Sequence, residues 1–221
     1  MHKKIETTLL IILSLLIVTP SYAQFKVGIT GGLNISKFTV NDDDYKGYID
    51  KIRPGFIIGP TVLYNIPNSN LGIDLSALFD RRSATSKSYS DIETIHYYSF
   101  QFPINVRYNI VFQDMDTAYG FVFTGPQFGW SMGSNDQLIV SGKGKTTGHD
   151  LERRWVNQSS TFSWNFGIGG VVFNKVQVRI SYNLALRKTG EIQQVDLTEG
   201  TSKSLTSGKA HACQVAISYL F

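Results

Sequence analysis

Ser141-Gly142-Lys143-Gly144-Lys145-Thr146-Thr147 brings together the glycines, lysines and hydroxyls of a loop that wraps phosphate. Such a loop needs another glycine five residues before Gly144, and Ile139 stands there, so nucleotide binding is not expected. Asn41-Asp42-Asp43-Asp44 offers carboxylates to a calcium ion. It lacks the spaced ligands and closing glutamate of a dedicated site and reads as a solvated acidic run. His96, His149 and His211 have no paired spacing for zinc. Ser99 with His96 or His211 and an acid is the residue set of a hydrolase, but order along the chain gives it no geometry. The single Cys213 excludes an intramolecular disulfide and suits a small apolar surface position. No catalytic residue, metal or cofactor is therefore assigned.

Asp74, Gln101, Asn105, Arg107, Arg179 and Asn183 form a different kind of set, each alone between apolar neighbours, and Asp80 joins them on the same alternation although Arg81 follows it. The elements that must position them are strands. From Val176 to Arg187, Val176, Val178, Ile180, Tyr182, Leu184 and Leu186 fall on one face. Gln177, Arg179, Ser181, Asn183, Ala185 and Arg187 fall on the other, which is the period of a β-strand. His96 to Ile110 repeats the pattern, with Tyr98, Phe100, Phe102, Ile104, Val106, Tyr108 and Ile110 opposite Ser99, Gln101, Asn105 and Arg107. Weaker copies span 25–35, 55–66, 71–80, 117–131, 161–173 and 210–221, which makes eight. The segments 117–131 and 161–173 are apolar on both faces and rich in glycine, so their facing is open by one residue.

Between these strands the connections run 36–54, 67–70, 81–94, 111–116, 132–160, 174–175 and 188–209, long and short in strict alternation. An up-and-down barrel with tight turns at one end and long loops at the other requires that alternation, whereas a Greek-key sandwich does not. Nothing in the chain reaches the roughly 18 consecutive apolar residues of a membrane helix. A membrane barrel shows lipid only every second side chain, however, so its mean hydropathy stays near zero, as the value of −0.07 does here. In hydrocarbon an unpaired backbone amide costs several kcal/mol, so such a sheet must close on itself. Aromatics such as Tyr64, Tyr108, Trp130, Trp164 and Tyr219 fall towards strand ends, where girdles at the bilayer interfaces would sit.

Lys3 and Lys4, the apolar run Leu9 to Val18, and Ser21-Tyr22-Ala23 read as an export signal, with cleavage expected between Ala23 and Gln24. The expected division is thus a cleaved signal peptide, 1–23, and one barrel domain, 24–221. With a formal net charge of only +4, nothing points to nucleic acid.

The residues Gly31-Gly32-Leu33-Asn34, Pro54-Gly55-Phe56 and Phe100-Gln101-Phe102-Pro103 open or occupy the first, second and fourth strands. Together with Tyr119 through Gly125-Pro126, Arg179 through Tyr182-Asn183 and the closing Tyr219-Leu220-Phe221, they resemble the small bacterial outer-membrane β-barrel family, PorT-like, across nearly the whole mature chain. The resemblance implies an integral outer-membrane protein that meets outer-membrane lipid and lipopolysaccharide. Tyr219 and the terminal Phe221 then look like the signal read by the barrel assembly machinery. Most such proteins have no assigned biochemical role.

Together these readings predict an all-β, eight-stranded antiparallel up-and-down transmembrane barrel with short periplasmic turns and long extracellular loops. The polar set Asp74, Gln101, Asn105, Arg107, Arg179 and Asn183 should point into its lumen, with Asp74 paired to Arg107 or Arg179 because a lone buried charge is costly. The third loop, carrying Lys143, Lys145, Arg153 and Arg154, has the charge to meet lipopolysaccharide phosphates. The expected function is non-enzymatic: structural, surface-interacting, or a subunit in an envelope assembly such as a secretion apparatus, with an unidentified protein partner. The alternatives are a lipid-modifying outer-membrane hydrolase, a narrow solute pore, and a soluble lipocalin-like carrier.

Overall fold

Twelve strands and no helix make up the described part of the chain, residues 25–40, 49–87, 92–111, 117–132, 137–143, 150–196 and 201–221 of a computed structural model. The strands are β1 (Phe25–Val40), β2 (Ile49–Asn65), β3 (Leu71–Ser76), β4 (Leu78–Lys87), β5 (Ile92–Val111) and β6 (Ala118–Ser131). They continue with β7 (Gln137–Lys143), β8 (Asp150–Asn157), β9 (Ser160–Val172), β10 (Val176–Ala185), β11 (Gly190–Asp196) and β12 (Thr201–Leu220).

Eight of these positions form a ring. In hydrogen-bonded order it runs β1, β2, β3 with β4, β5, β6, β9, β10, β12 and back to β1, every pairing antiparallel. Closure is made by the first and last strands, in register from Gly28 opposite Leu220 to Val40 opposite Gly208. β3 and β4 are one strand interrupted at Ala77, which lies opposite Pro60 of β2. A proline nitrogen has no hydrogen to give, so only the Ala77 N–H to Pro60 O bond, 3.0 Å, spans that point.

The ends of the ring differ, as expected. At one end the chain turns tightly, through 66–70 and 173–175. The second of these turns is centred on Phe173 and Asn174, both with positive φ (54° and 53°), with Lys175 N–H donating to Val172 O. That is the type I′ geometry that suits the twist of a hairpin, and it sits one residue earlier than the expected Asn174–Lys175 turn.

The other end departs from expectation. The connections read as loops carry strands: β1 reaches Val40, β2 starts at Ile49, β4 runs to Lys87 and β5 starts at Ile92. The 132–160 connection holds β7 and β8, while 188–209 holds β11 and the first turns of β12. β11 pairs with β12 from Gly190–Gly208 to Asp196–Thr201, β8 pairs with β11, and β7 pairs with β8, so a sheet extends beyond the ring. Residues 201–204 are exposed there, in keeping with a sheet wetted on both faces, which has no reason to alternate oil-facing and lumen-facing side chains.

Within the ring the polarity is inside out. Ile29 (56%), Leu33 (62%), Ile168 (60%) and Ile217 (56%) are exposed on the outer surface, whereas Arg107 is 1% and Asp80 0% exposed inside. Such an apolar outer wall matches a barrel solvated by acyl chains and is the reverse of what a soluble carrier needs. β6 and β9, whose facing the sequence leaves open, turn Val122, Phe128, Trp130, Trp164, Phe166 and Ile168 outward and Phe121, Phe123, Asn165 and Val171 inward.

Candidate functional site

Inside an eight-stranded ring there is room for side chains and little else. Asp74, Gln101, Asn105, Arg107, Arg179 and Asn183 all lie buried in this lumen, carried by β3, β5 and β10. Each is there because its strand alternates in step with the ring: its neighbours on either side are apolar or aromatic residues of the outer wall.

Near the tight-turn end, Asp74 Oδ2 accepts from Arg179 Nη1 at 3.5 Å and from Gln177 Nε2 at 3.4 Å. Its Oδ1 accepts from Thr61 and Ser76 at 3.3 Å each. Arg107 does not bond Asp74 directly. Its Nη1 donates to Gln177 Oε1 at 2.9 Å and its Nε to Asn109 Oδ1 at 2.8 Å. Gln177 is thus the bridge between the second arginine and the carboxylate, a role that sequence reasoning placed on no residue. The Arg107 guanidinium lies 3.9 Å from the ring centroid of Phe121, whose π face offsets part of the cost of burying the charge.

Midway along the lumen, amides link three strands: Asn183 Nδ2 donates to Asn165 Oδ1 (3.3 Å), and Asn165 Nδ2 to Asn105 Oδ1 (3.2 Å). Towards the loop end, Gln127 Nε2 donates to Gln101 Oε1 (3.0 Å), and Gln101 Nε2 to Ser99 Oγ (2.7 Å). There too the buried pair Arg82–Asp80 closes at 2.7 Å, with Asn34 Nδ2 donating to Asp80 at 2.5 Å. Arg82 and Asn34 belong to this layer although 81–94 reads as loop in the sequence; the signal that could have found Arg82 is its even spacing from Asp74 and Asp80. Between the polar layers sits a small apolar cluster of Ile57, Leu78 and Ala216. Every buried carboxylate described in the lumen thus meets a cation, the condition under which buried charge is tolerable.

Of the candidate hydrolase residues, the described pair Ser99 and His211 does not meet. Ser99 is fully buried in the lumen on β5, whereas His211 lies outside on β12, stacked on Tyr182 at 6.2 Å with Nδ1 accepting from the Ala185 N–H. The wall of the barrel separates them. Arg187, which alternation puts on the same face as Arg179, is exposed because β10 ends at Ala185 and the chain leaves the ladder there. Cys213 is exposed on the outer wall. Tyr219 and Phe221 face outward, edge to face at 5.4 Å, with Phe221 N–H donating to Val27 O. His96, Arg153 and Arg154 lie on strands, but their side chains are outside the described residues, as are Ala23, Gln24, 41–44 and 144–149. Among the described residues no group of three His, Cys, Asp or Glu side chains is placed to hold a metal.

A family model described as outer membrane protein beta-barrel domain matches residues 20–190. No curated protein sequence matches the chain. Among solved structures, the chain is similar to the outer membrane protein OprG from Pseudomonas aeruginosa, at 9% identity and a TM-score of 0.52, covering 90% of this chain and 96% of that one. Ail of Yersinia pestis, solved in complex with the heparin analogue sucrose octasulfate, matches at 14% identity and a TM-score of 0.42 over 90% and 99%. The outer membrane protease OmpT from Escherichia coli matches at 10% and 0.45 over 92% and 99%. At these identities the likeness is one of fold.

Proposed function

We propose, from the premise that this chain belongs to the outer membrane protein beta-barrel domain family, that it is a non-enzymatic barrel of the bacterial outer membrane that works through its outer surface rather than its lumen. The role is structural, surface-interacting or one of envelope assembly, with an envelope protein as partner. The observation that carries this reading is the lumen itself: ion pairs and amide chains cross it in successive layers and leave the interior to side chains. In this reading the network is a plug that stabilises the wall.

The working surface is the sheet of β7, β8, β11 and the first part of β12, which stands beyond the ring at the end away from the tight turns. With those turns in the periplasm, it projects from the cell. Export with removal of 1–23 between Ala23 and Gln24, and reading of Tyr219 and Phe221 by the barrel assembly machinery, belong to the same proposal. They are supported by the charged and apolar segments of the leader and the outward aromatic pair on the last strand.

Three experiments test it. Planar bilayers holding the refolded protein should show no conductance above background; discrete channel steps would return the narrow-pore reading. On whole cells, a thiol placed by Ser202→Cys in a Cys213→Ala background should react with an impermeant maleimide. Protection on intact cells, with labelling only after lysis, would place the extension in the periplasm and overturn the orientation. Altered lipid A on deletion of the gene would favour the hydrolase.

A further inference from the structure

On the outer wall at the loop end lies a groove of about 480 Å³. Its floor is aromatic. Phe102 of β5 is the register partner of Phe128 of β6, and the Phe128 ring lies 5.2 Å from that of Phe162 on β9. Trp130, 70% exposed, stands at its side.

Its upper edge is polar. Beyond Ala185 the chain leaves the ladder, and the backbone N–H groups of Leu186 and Arg187 both donate to Phe162 O, at 3.0 and 3.2 Å. Those two bonds fix Arg187 at the head of the aromatic floor. Ser159 and Ser160 join it there, with Ser159 O accepting from the Ser131 N–H at 2.9 Å. The neighbouring cation, Lys188, is held by Glu191 at 3.0 Å. Arg187 has no carboxylate partner among the described residues.

A guanidinium with no carboxylate partner among the described residues, heading an apolar, membrane-facing groove, asks for an anion that arrives attached to a hydrocarbon chain. The volume falls in the range of small-molecule pockets, about 300–1,000 Å³, and suits a single acyl chain. A guanidinium fork flanked by hydroxyl donors matches phosphate. Trp130 is the next-to-last residue of β6 and Ser160 the first of β9, so the groove opens at the bilayer interface where aromatic girdles lie.

We infer that this groove binds a phosphorylated lipid of the outer leaflet, the lipid A portion of lipopolysaccharide, with one acyl chain along Phe102, Phe128 and Phe162 and a phosphate on Arg187 and the hydroxyls of Ser159 and Ser160. The inference rests on the loop end facing outward, and it makes the wall a specific lipid site rather than a generic oily surface.

Native mass spectrometry of the protein in detergent micelles tests it, with lipid A, dephosphorylated lipid A and phosphatidylglycerol as separate probes. The expected result is a retained one-to-one lipid A adduct that falls at least about tenfold on removal of the phosphates or in Arg187→Gln, as loss of a charge-assisted hydrogen bond implies. Phosphatidylglycerol, whose phosphodiester carries a single charge where a lipid A phosphomonoester carries nearly two, should bind more weakly than lipid A but more strongly than dephosphorylated lipid A, and Lys175→Gln at the tight-turn end should leave the adduct unchanged. Arg187 is exposed, so the variant should keep the heat-modifiable gel shift of a folded barrel. No adduct in the parent protein, an equal adduct in Arg187→Gln, or equal binding of dephosphorylated lipid A or phosphatidylglycerol would each overturn the assignment. Neither leaflet exists in detergent, so this result fails or stands separately from the whole-cell labelling.

Discussion

Asp74 on β3 and Arg179 on β10 lie opposite one another in the ring, four strands apart whichever way the wall is followed, yet their side chains meet at 3.5 Å. Two side chains therefore span the interior, and the contact ties opposite walls together. Arg179→Leu leaves Asp74 buried with only Gln177, Thr61 and Ser76, and should destabilise the barrel by about 3 kcal/mol, since breaking a buried pair strands a charge. Urea unfolding in a lipid or detergent host measures this. Adding Asp74→Asn should recover most of the loss, and an unchanged midpoint in the single variant would mean that the two are not partners.

Phe121 supports a second prediction. Its ring fills the space that a Cβ on Gly169 would occupy, and Val178 O closes the same space from the next strand. Gly169→Val should cost about 2 kcal/mol through overpacking. Combined with Phe121→Ala the penalty should shrink without vanishing, because the Val178 carbonyl stays. Strict additivity in a double-mutant cycle would show that the ring is not what excludes the side chain.

Phe173 holds φ at 54°, a region that costs an ordinary L-residue about 1–2 kcal/mol. Asparagine tolerates it and suits the first central position of a type I′ turn, so Phe173→Asn should raise stability by about 1 kcal/mol. A lower midpoint would show that the exposed ring contributes more through its membrane contact than its backbone strain costs.

Glu191, on the extension, gives a pH prediction. Hydrogen bonds from Gln193 (2.5 Å) and Lys188 (3.0 Å) hold its carboxyl below the ordinary 4.5. A carboxylate whose folded-state pKa is depressed adds stability above the unfolded value, and that stability is lost as pH falls through the lower, folded one. Amide-exchange protection of β11 should drop over that acidic range while the ring strands hold. Glu191→Gln should remove the step, and an identical acid response in the variant would assign it elsewhere.

Most of the ring strands were legible because they present oil on one side and packed polar groups on the other, a contrast that survives in sequence as period two: Val176 to Ala185 is the cleanest case. β6 and β9 hid their facing because Phe121 and Phe123 point inward over the glycines of β9, so aromatics line both faces. β7, β8 and β11 were invisible as strands because their sequences carry no sustained alternation of apolar and polar residues; the backbone pairing that joins them links segments whose register the sequence does not give. The lumen residues could be identified one at a time from alternation, but their partners could not: whether Asp74 meets Arg107 or Arg179, and that Gln177 joins them, depends on registers between strands far apart in the chain. The departure of Arg187 from the face that it shares with Arg179 in the sequence was not legible, because nothing in the alternation marks where β10 stops.

The seam between β1 and β12 joins the two extremes of the described chain, so its partners are the most distant in sequence of any that pair. Until β12 arrives, β1 carries a bare edge and the wall is an open trough that oil cannot tolerate. Closure of the wall must therefore wait for β12, and a product that lacks this strand keeps an open edge however many of its other strands are intact.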